Sequence, residues 1–138
     1  MKNVVITVIV HLLSAITFAQ KQPPNKVQLA FTKQYPNIKM VKWESEMGNF
    51  EAGFKQNKIN YSVLMNAKGN IIETENEISV RSLSKPIIDY ILKNYPNQKI
   101  KGAAKITNAV GVVTYESELQ DFDLIFDSAG NFIKTIKD

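Results

Sequence analysis

Apolar residues along the chain keep a helical spacing in two short segments and an alternating spacing after each of them. The helical segments are apolar on one side, which predicts two amphipathic helices that each cover an apolar surface. Their stripes are Val27, Ala30, Phe31 and Tyr35 in the first segment and Ile88, Ile91, Leu92 and Tyr95 in the second. The alternating segments predict strands with one apolar face, as in Phe50, Ala52 and Phe54.

Prolines mark the ends of both helices. Pro36 and Pro96 follow the last tyrosine of each stripe, and the residue before a proline is disfavoured in the helical conformation. The predicted order is therefore one helix and four strands, occurring twice. Helices are predicted near residues 25–35 and 85–95, and strands near 38–46, 49–56, 59–66, 71–77, 99–107, 112–120, 122–127 and 132–137.

Two seven-residue sequence motifs recur at matching places in the two halves, which indicates an internal repeat. KQYPNIK at 33–39 returns as KNYPNQK at 93–99, and NAKGNII at 66–72 returns as DSAGNFI at 127–133. We predict one α+β domain built from two tandem α-β-β-β-β repeats, at about 25–78 and 84–138. Both helices are expected on one face of the antiparallel sheet, with the two half-sheets joined or closely packed.

The motif at 66–72 and 127–133 has the composition of a tight turn. Asn66 or Asp127 is predicted to cap the turn, and Gly69 or Gly130 to take a positive φ angle. The alternating acidic ligands of a calcium loop are absent from both copies.

The first residues resemble a secretory signal peptide. Lys2 precedes an uncharged, mostly apolar run from Val4 to Phe18, and a small-x-small cleavage site ends at Ala19. That run is shorter than the roughly 20 apolar residues that span a bilayer. We expect residues 1–19 to be removed, leaving a periplasmic or secreted domain, residues 20–138, with no membrane anchor. Since the chain has no cysteine, it is not expected to be a lipoprotein.

The composition of that domain excludes several kinds of site. His11 is the only histidine, so residues 20–138 contain neither histidine nor cysteine and lack the usual zinc ligands and His-dependent nucleophiles. The glycines have no dinucleotide or P-loop spacing, and no spacing singles out a Ser-Lys dyad. The net charge of +4 is spread along the chain and forms no basic stripe. We expect no enzymatic activity, no cofactor, no metal and no nucleic-acid partner.

Acidic residues alternate along the predicted strands, which places carboxylates about 7 Å apart on one face. The groups are Glu44 and Glu46; Glu73, Glu75 and Glu77; Glu116 and Glu118; and Asp121 and Asp123. Such pairs could act as acid and base or bind a cation, but four of them favour the solvated face of half-buried strands. Trp43 is either a core residue or a recognition anchor, because tryptophan is enriched at binding hot spots.

Together these motifs resemble the PepSY-like, beta-lactamase-inhibitor-like domains of the Gram-negative periplasm, over essentially all of residues 20–138. The matching positions are Tyr35, Pro36, Val41, Lys42, Trp43, Glu44, Phe50, Glu51, Ala52, Phe54, Gly69, Glu73 to Glu75, Tyr95, Pro96, Tyr115, Glu116, Phe126, Asp127 and Gly130. The second copy has GAAK at 102–105 in place of the VKWE phrase. The resemblance implies a two-repeat fold, export, no enzymatic activity, and binding or inhibition of another envelope or secreted protein.

The resulting hypothesis is a non-catalytic binding module. It would recognise an envelope or secreted protein or peptide through the open sheet face and the hairpin loops near 56–58 and 108–111. The candidate contact residues are Trp43, Glu44, Glu46, Glu51, Tyr61, Tyr115 and Glu116. The alternative is a periplasmic small-ligand or cation-binding protein that uses the paired carboxylates.

Overall fold

The computed structural model describes residues 22–137, so the expected signal peptide lies outside the described residues. The first half contains helix α1 (Asn25–Gln34) and strands β1 (Lys42–Glu46), β2 (Asn49–Gln56), β3 (Ile59–Met65) and β4 (Ile71–Ile78). A short 3-10 turn, Val80–Ser82, leads into the second half. That half contains helix α2 (Lys85–Asn94) and strands β5 (Gly102–Asn108), β6 (Val113–Glu118), β7 (Phe122–Asp127) and β8 (Phe132–Lys137).

The eight strands form one antiparallel sheet in the order of the sequence. The two halves join where β4 pairs with β5, with Glu77 opposite Ala104 and Ile78 opposite Ala103. This arrangement confirms the predicted α+β class and the repeated order of elements, and it joins the half-sheets into a continuous sheet. Of the two helices in the described part of the chain, neither is long and apolar enough to cross a membrane.

Both helices pack on the same face of the sheet. The buried α1 residues Val27 and Phe31 lie against alternate residues of β1 to β3. The buried α2 residues, Ile87 and Ile91, lie against Leu124 and other residues of β5 to β7. Because successive side chains of a strand point to opposite faces, this packing leaves the other face without a helix within residues 22–137.

The predicted stripe of α2 holds at Ile88, Ile91 and Tyr95, which pack in the core, but it wrongly includes Leu92 and omits Ile87. Ile87 and Ile91 are 1% and 2% exposed, whereas Leu92 is 61% exposed. The segment is apolar at nearly every position from Ile87 to Leu92, so its period alone does not define the buried face. The stripe predicted for α1 holds at Val27 and Phe31, which are both buried.

The two turns of the repeated motif, at 66–72 and 127–133, have the predicted caps. Asn66 Oδ1 accepts hydrogen bonds from the backbone N–H groups two and four residues later, both at 3.0 Å. Asp127 Oδ1 accepts the equivalent bonds at 2.9 and 2.8 Å. Asn108 forms a third turn of this kind, which the sequence analysis did not predict.

The glycines of these two turns lie against the helix of their own repeat. Gly69 and Gly130 both have φ +86°, a backbone conformation that favours glycine. A Cβ at Gly69 would lie 3.0 Å from the Ala30 Cβ, and one at Gly130 would lie 2.8 Å from the Pro86 Cβ. The repeated turn therefore fixes the hairpin to the helix as well as reversing the chain.

Strands β1 and β5 begin later than predicted, at Lys42 and Gly102. After each helix, a backbone hydrogen bond closes a turn onto the tyrosine carbonyl, from Ile38 N to Tyr35 and from Gln98 N to Tyr95, both at 3.1 Å. These turns keep the intervening residues out of the sheet.

Candidate functional site: an acidic trough on the open face

Three of the predicted contact residues, Trp43, Tyr61 and Tyr115, lie on the helix-covered face and not on the open face where contact was predicted. The Trp43 side chain is 7% exposed and meets the Phe31 ring edge-on, with 5.3 Å between ring centroids. Tyr61 stacks on Phe54 with centroids 5.5 Å apart. Tyr115 packs against the core beneath α2. The rings of these three residues pack with the two core clusters beneath the helices.

The other four predicted contact residues, Glu44, Glu46, Glu51 and Glu116, lie on the open face. Glu44 pairs directly with Glu51 across β1 and β2. Trp43 and Glu44 are neighbours on one strand, so their side chains must point to opposite faces. The alternation that buries the tryptophan therefore places the glutamates on the uncovered side.

The open face contains a cavity of about 600 Å³ around strand β5. The strands on either side of β5 contribute carboxyl groups, Glu75 and Glu77 from β4 and Glu116 and Glu118 from β6. On β5 itself the residues facing the cavity are Gly102 and Ala104. We call these six residues the acidic trough.

Small residues on β5 create the trough. Ala104 pairs with Glu77 on one side and with Glu116 on the other, so two carboxyl groups flank a methyl group. Neighbouring strands are about 4.8 Å apart, which places β4 and β6 about 10 Å apart. A Cβ at Gly102 would lie 2.7 Å from the Glu118 Oε2, so this carboxyl group lies directly over the glycine.

The β6 wall of the trough contains a buried carboxyl group. Glu116 is 3% exposed, and its Oε2 atom has no hydrogen-bond partner. Burial raises the pKa of Glu116 to about 9, and the neighbouring carboxyl groups of Glu75 and Asp123 add to the shift. Burial, with Glu51 and Glu73 nearby, raises the pKa of Glu75 to about 8. Both shifts favour the protonated form of the side chain, compared with an exposed glutamate.

The open face is concave. Lys134 on β8 lowers and Glu46 on β1 raises the pKa of Glu73 on β4, which burial brings to about 7. In a flat sheet β8 would lie about 19 Å from β4, beyond the Debye length of about 10 Å that screens exposed charges at about 0.1 M salt. Ile106 and Ile125 also point to this face, yet they are only 1% and 2% exposed.

Lysine, asparagine and serine side chains form ion pairs or hydrogen bonds with the carboxyl groups around the cavity. Lys42 Nζ lies 2.6 Å from Glu44 Oε1, and Lys101 Nζ lies 3.8 Å from Glu118 Oε1. On β3, Asn60 donates a hydrogen bond of 2.6 Å to Glu77 Oε2. The hydroxyl of Ser62 donates to Glu51. Across residues 22–137, no group of three or more carboxyl side chains is positioned to hold a metal ion.

Comparison with known families identifies the fold and the family. A family model described as "Putative beta-lactamase-inhibitor-like, PepSY-like" matches residues 14–73 and, in a second alignment, residues 48–134. The chain belongs to this PepSY-like family. Among curated proteins, none matches the sequence.

Solved structures share the fold of this PepSY-like chain at low sequence identity. A protein from Bacteroides eggerthii, described as a "putative periplasmic" protein, has a TM-score of 0.76 at 11% identity, over 85% of this chain and 90% of that one. A DUF2874 family protein from Bacteroides ovatus has a TM-score of 0.72 at 21% identity, over 85% and 89% of the two chains. A BLIP-like protein from Bacteroides fragilis has a TM-score of 0.66 at 21% identity, over 86% and 89%.

The sequence analysis of the PepSY-like chain missed the small residues that open the trough. Alternation along the strands predicts carboxyl pairs at Glu75 and Glu77 and at Glu116 and Glu118. The same alternation is typical of the solvated face of a half-buried strand, and that interpretation was favoured. The available signal was the run Gly102, Ala103 and Ala104 at the start of β5, where β1 of the first copy begins with Lys42, Trp43 and Glu44. Small residues in a strand allow another group to approach closely, so this replacement indicated an opening in the sheet surface.

Proposed function

We propose that this chain is a non-catalytic, exported binding module that recognises an envelope or secreted protein or peptide through its concave open face. The observation that carries the proposal is the cavity of about 600 Å³ at the acidic trough, on the sheet face opposite α1 and α2. A concave face lined by a few convergent polar groups is typical of a binding site. Family membership supports a protein partner, because the family description refers to a beta-lactamase inhibitor. Inhibition of that partner is part of the proposal.

The raised pKa values of the trough would also suit acid-base chemistry, since such shifts cluster at functional sites. We nevertheless favour binding over catalysis. Residues 20–138 contain no histidine or cysteine, and the inhibitor-like family description points to recognition of another protein.

Export and cleavage after Ala19 are part of the same proposal, with residues 20–138 as a single domain. The signal-like N-terminal pattern supports export, and the similar structure from Bacteroides eggerthii is described as periplasmic. The mass of the protein recovered from the periplasmic fraction tests this. A mass that includes residues 1–19 would contradict cleavage.

The test of partner recognition compares two charge reversals of the same size. Glu77→Lys changes an exposed residue at the trough, whereas Asp89→Lys changes an exposed residue on α2, which packs on the opposite face. Each immobilised protein is exposed to envelope extract of the producing organism, and the retained proteins are identified by mass spectrometry. We expect one protein to be retained by the wild type and by Asp89→Lys and lost by Glu77→Lys. Equal retention by all three would contradict binding at the open face.

A small-ligand carrier is the second candidate, and the volume of the cavity favours it. A ligand of drug size needs a cavity of about 300 to 1,000 Å³, a range that includes the trough. Native mass spectrometry of protein purified from the envelope would show a bound small molecule, whereas the binding module would be recovered with its protein partner.

A further inference from the structure

The two walls of the acidic trough face each other in a way that suits one cationic group. Glu77 and Glu116 are in register on either side of Ala104, and Glu118 lies opposite Gly102. Carboxyl groups thus line both sides of the first part of β5, where the Ala104 methyl group is the side chain on this face. A group placed above Ala104 would have acceptors on both sides at once.

An unsatisfied buried group shows that the walls alone do not complete this site. The Glu116 side chain is 3% exposed, lines the cavity, and leaves its Oε2 atom without a hydrogen bond. A buried acceptor without a partner carries a desolvation cost that a donor placed in the cavity would remove. The trough is therefore more than a cluster of acidic surface residues.

We propose that the acidic trough receives one arginine side chain of the protein partner, with its guanidinium group between the carboxyl groups of β4 and β6. This inference rests on the proposed function and specifies what the open face recognises.

Charge and shape both favour a guanidinium group. The cavity is lined by five carboxyl groups and two lysines. Each of those lysines lies near a glutamate, Lys42 near Glu44 and Lys101 near Glu118, so the carboxyl groups of Glu75 and Glu116 remain available. A guanidinium is planar and has five N–H donors, so it can donate to both walls, whereas an ammonium is a compact point charge.

The state of the Glu116 carboxyl group supports the same assignment. Burial raises the pKa of Glu116 to about 9, so the empty trough stabilises the protonated form. A neighbouring cation favours the ionised form of a carboxyl group, and hydrogen bonds to an ionised group are among the strong ones. A bound arginine would displace the Glu116 proton to solvent and donate to the Oε2 atom that has no hydrogen-bond partner.

The first test uses N-acetyl-arginine amide as the probe and N-acetyl-citrulline amide as its neutral analogue of the same shape. Titration is followed by the backbone amide signals of Gly102 and Ala104 in NMR spectra of the chain expressed with its own N-terminal segment. A ligand of this size is expected to bind with a Kd of about 1 mM. We expect saturable shifts with the arginine probe and none with the citrulline probe. Equal shifts with both probes, or none with either, would overturn the proposal.

Matched variants locate the site. Glu116→Gln is expected to weaken binding of the arginine probe at least about tenfold, because a charge-assisted hydrogen bond is lost. Asp89→Asn removes an exposed carboxyl group from α2, which packs on the opposite face, and is expected to leave the Kd unchanged. Ala104→Leu fills the trough and should abolish binding, which provides an independent test if Glu116→Gln fails to fold. Undiminished binding by Glu116→Gln or Ala104→Leu would overturn the proposal.

Competition separates this inference from the proposed function. Excess arginine probe, but not citrulline probe, is expected to release the partner retained by the wild-type chain. If a partner is retained in a manner that depends on Glu77 but the arginine probe does not release it, the binding module stands and the arginine receptor is wrong. If the arginine probe binds and no protein partner is retained, the side-chain proposal is overturned in favour of a free small cation.

Discussion

Replacement of Glu73 by glutamine should stabilise the protein at neutral and alkaline pH and leave it unchanged in acid. Glu73 is 8% exposed on the concave face, and its pKa is raised from 4.5 to about 7, mainly by burial. The Lys134 ammonium opposes that shift, while the carboxyl groups of Glu51 and Glu46 add to it. Glutamine is close to the shape of the protonated carboxyl group and does not ionise.

The direction of the pH dependence follows from the proton that the folded state retains. Between pH 4.5 and about 7 the unfolded chain has lost the Glu73 proton and the folded protein has kept it. Stability from the neutral carboxyl group is therefore complete below pH 4.5 and is lost as the pH rises through about 7. The shift of about 2.5 pKa units (7 − 4.5), at about 1.36 kcal/mol each, corresponds to about 3 kcal/mol.

Urea unfolding at about pH 4 and at about pH 8 measures this effect, because the free energy of unfolding is obtained at each pH. Glu73→Gln should match the wild type in acid and exceed it by about 3 kcal/mol at the higher pH. Asp89→Asn removes an exposed carboxyl group from α2 and serves as the control. A difference between Glu73→Gln and wild type that is the same at both pH values would refute the reasoning.

Two further substitutions test the core and the turns. Trp43→Ala should lower the free energy of urea unfolding by about 3 to 5 kcal/mol, because it removes the ring packed on Phe31; unchanged stability would contradict the buried position of Trp43. Gly130→Ala should lose about 2 kcal/mol more than Gly48→Ala in thermal unfolding, since overpacking adds to the backbone strain that both share. A Cβ added at Gly130 would lie 2.8 Å from the Pro86 Cβ, whereas a Cβ added at Gly48 would have no atom within 4 Å. Equal losses of stability in the two variants would contradict close packing of the Gly130 turn against α2.

The prolines after the helices and the glycine-containing turns were sufficient to predict most of the elements. Pro36 and Pro96 lie just beyond the helices, and the turns containing Gly69 and Gly130 separate strands within a residue or two of their predicted ends. The joining of the half-sheets was not predictable in the same way. Strands β4 and β5 pair across an intervening helix, and no local pattern specifies a contact between strands so far apart in sequence.

The candidate site was only partly predictable, for a related reason. Strand alternation alone places Glu44 and Glu116 on one face and Trp43 and Tyr115 on the other, and the frequency of tryptophan at hot spots was the weaker guide. Burial of Glu116 depends on the strands that flank it in the assembled sheet, where it pairs with Ala104 on β5 and Ile125 on β7. Such pairing has no signature in the period of a single strand.

The departure of the second copy from the first explains why the trough lies at the junction. Lys42, Trp43 and Glu44 begin β1, and Gly102, Ala103 and Ala104 occupy the matching positions of β5. The first copy fills these positions with a core ring and a surface ion pair between Lys42 and Glu44. The second copy leaves them nearly empty in mid-sheet, where carboxyl groups from both neighbouring strands converge. An exact repeat would place a lysine and a glutamate over β5 and fill the trough, so the open site depends on the difference between the copies.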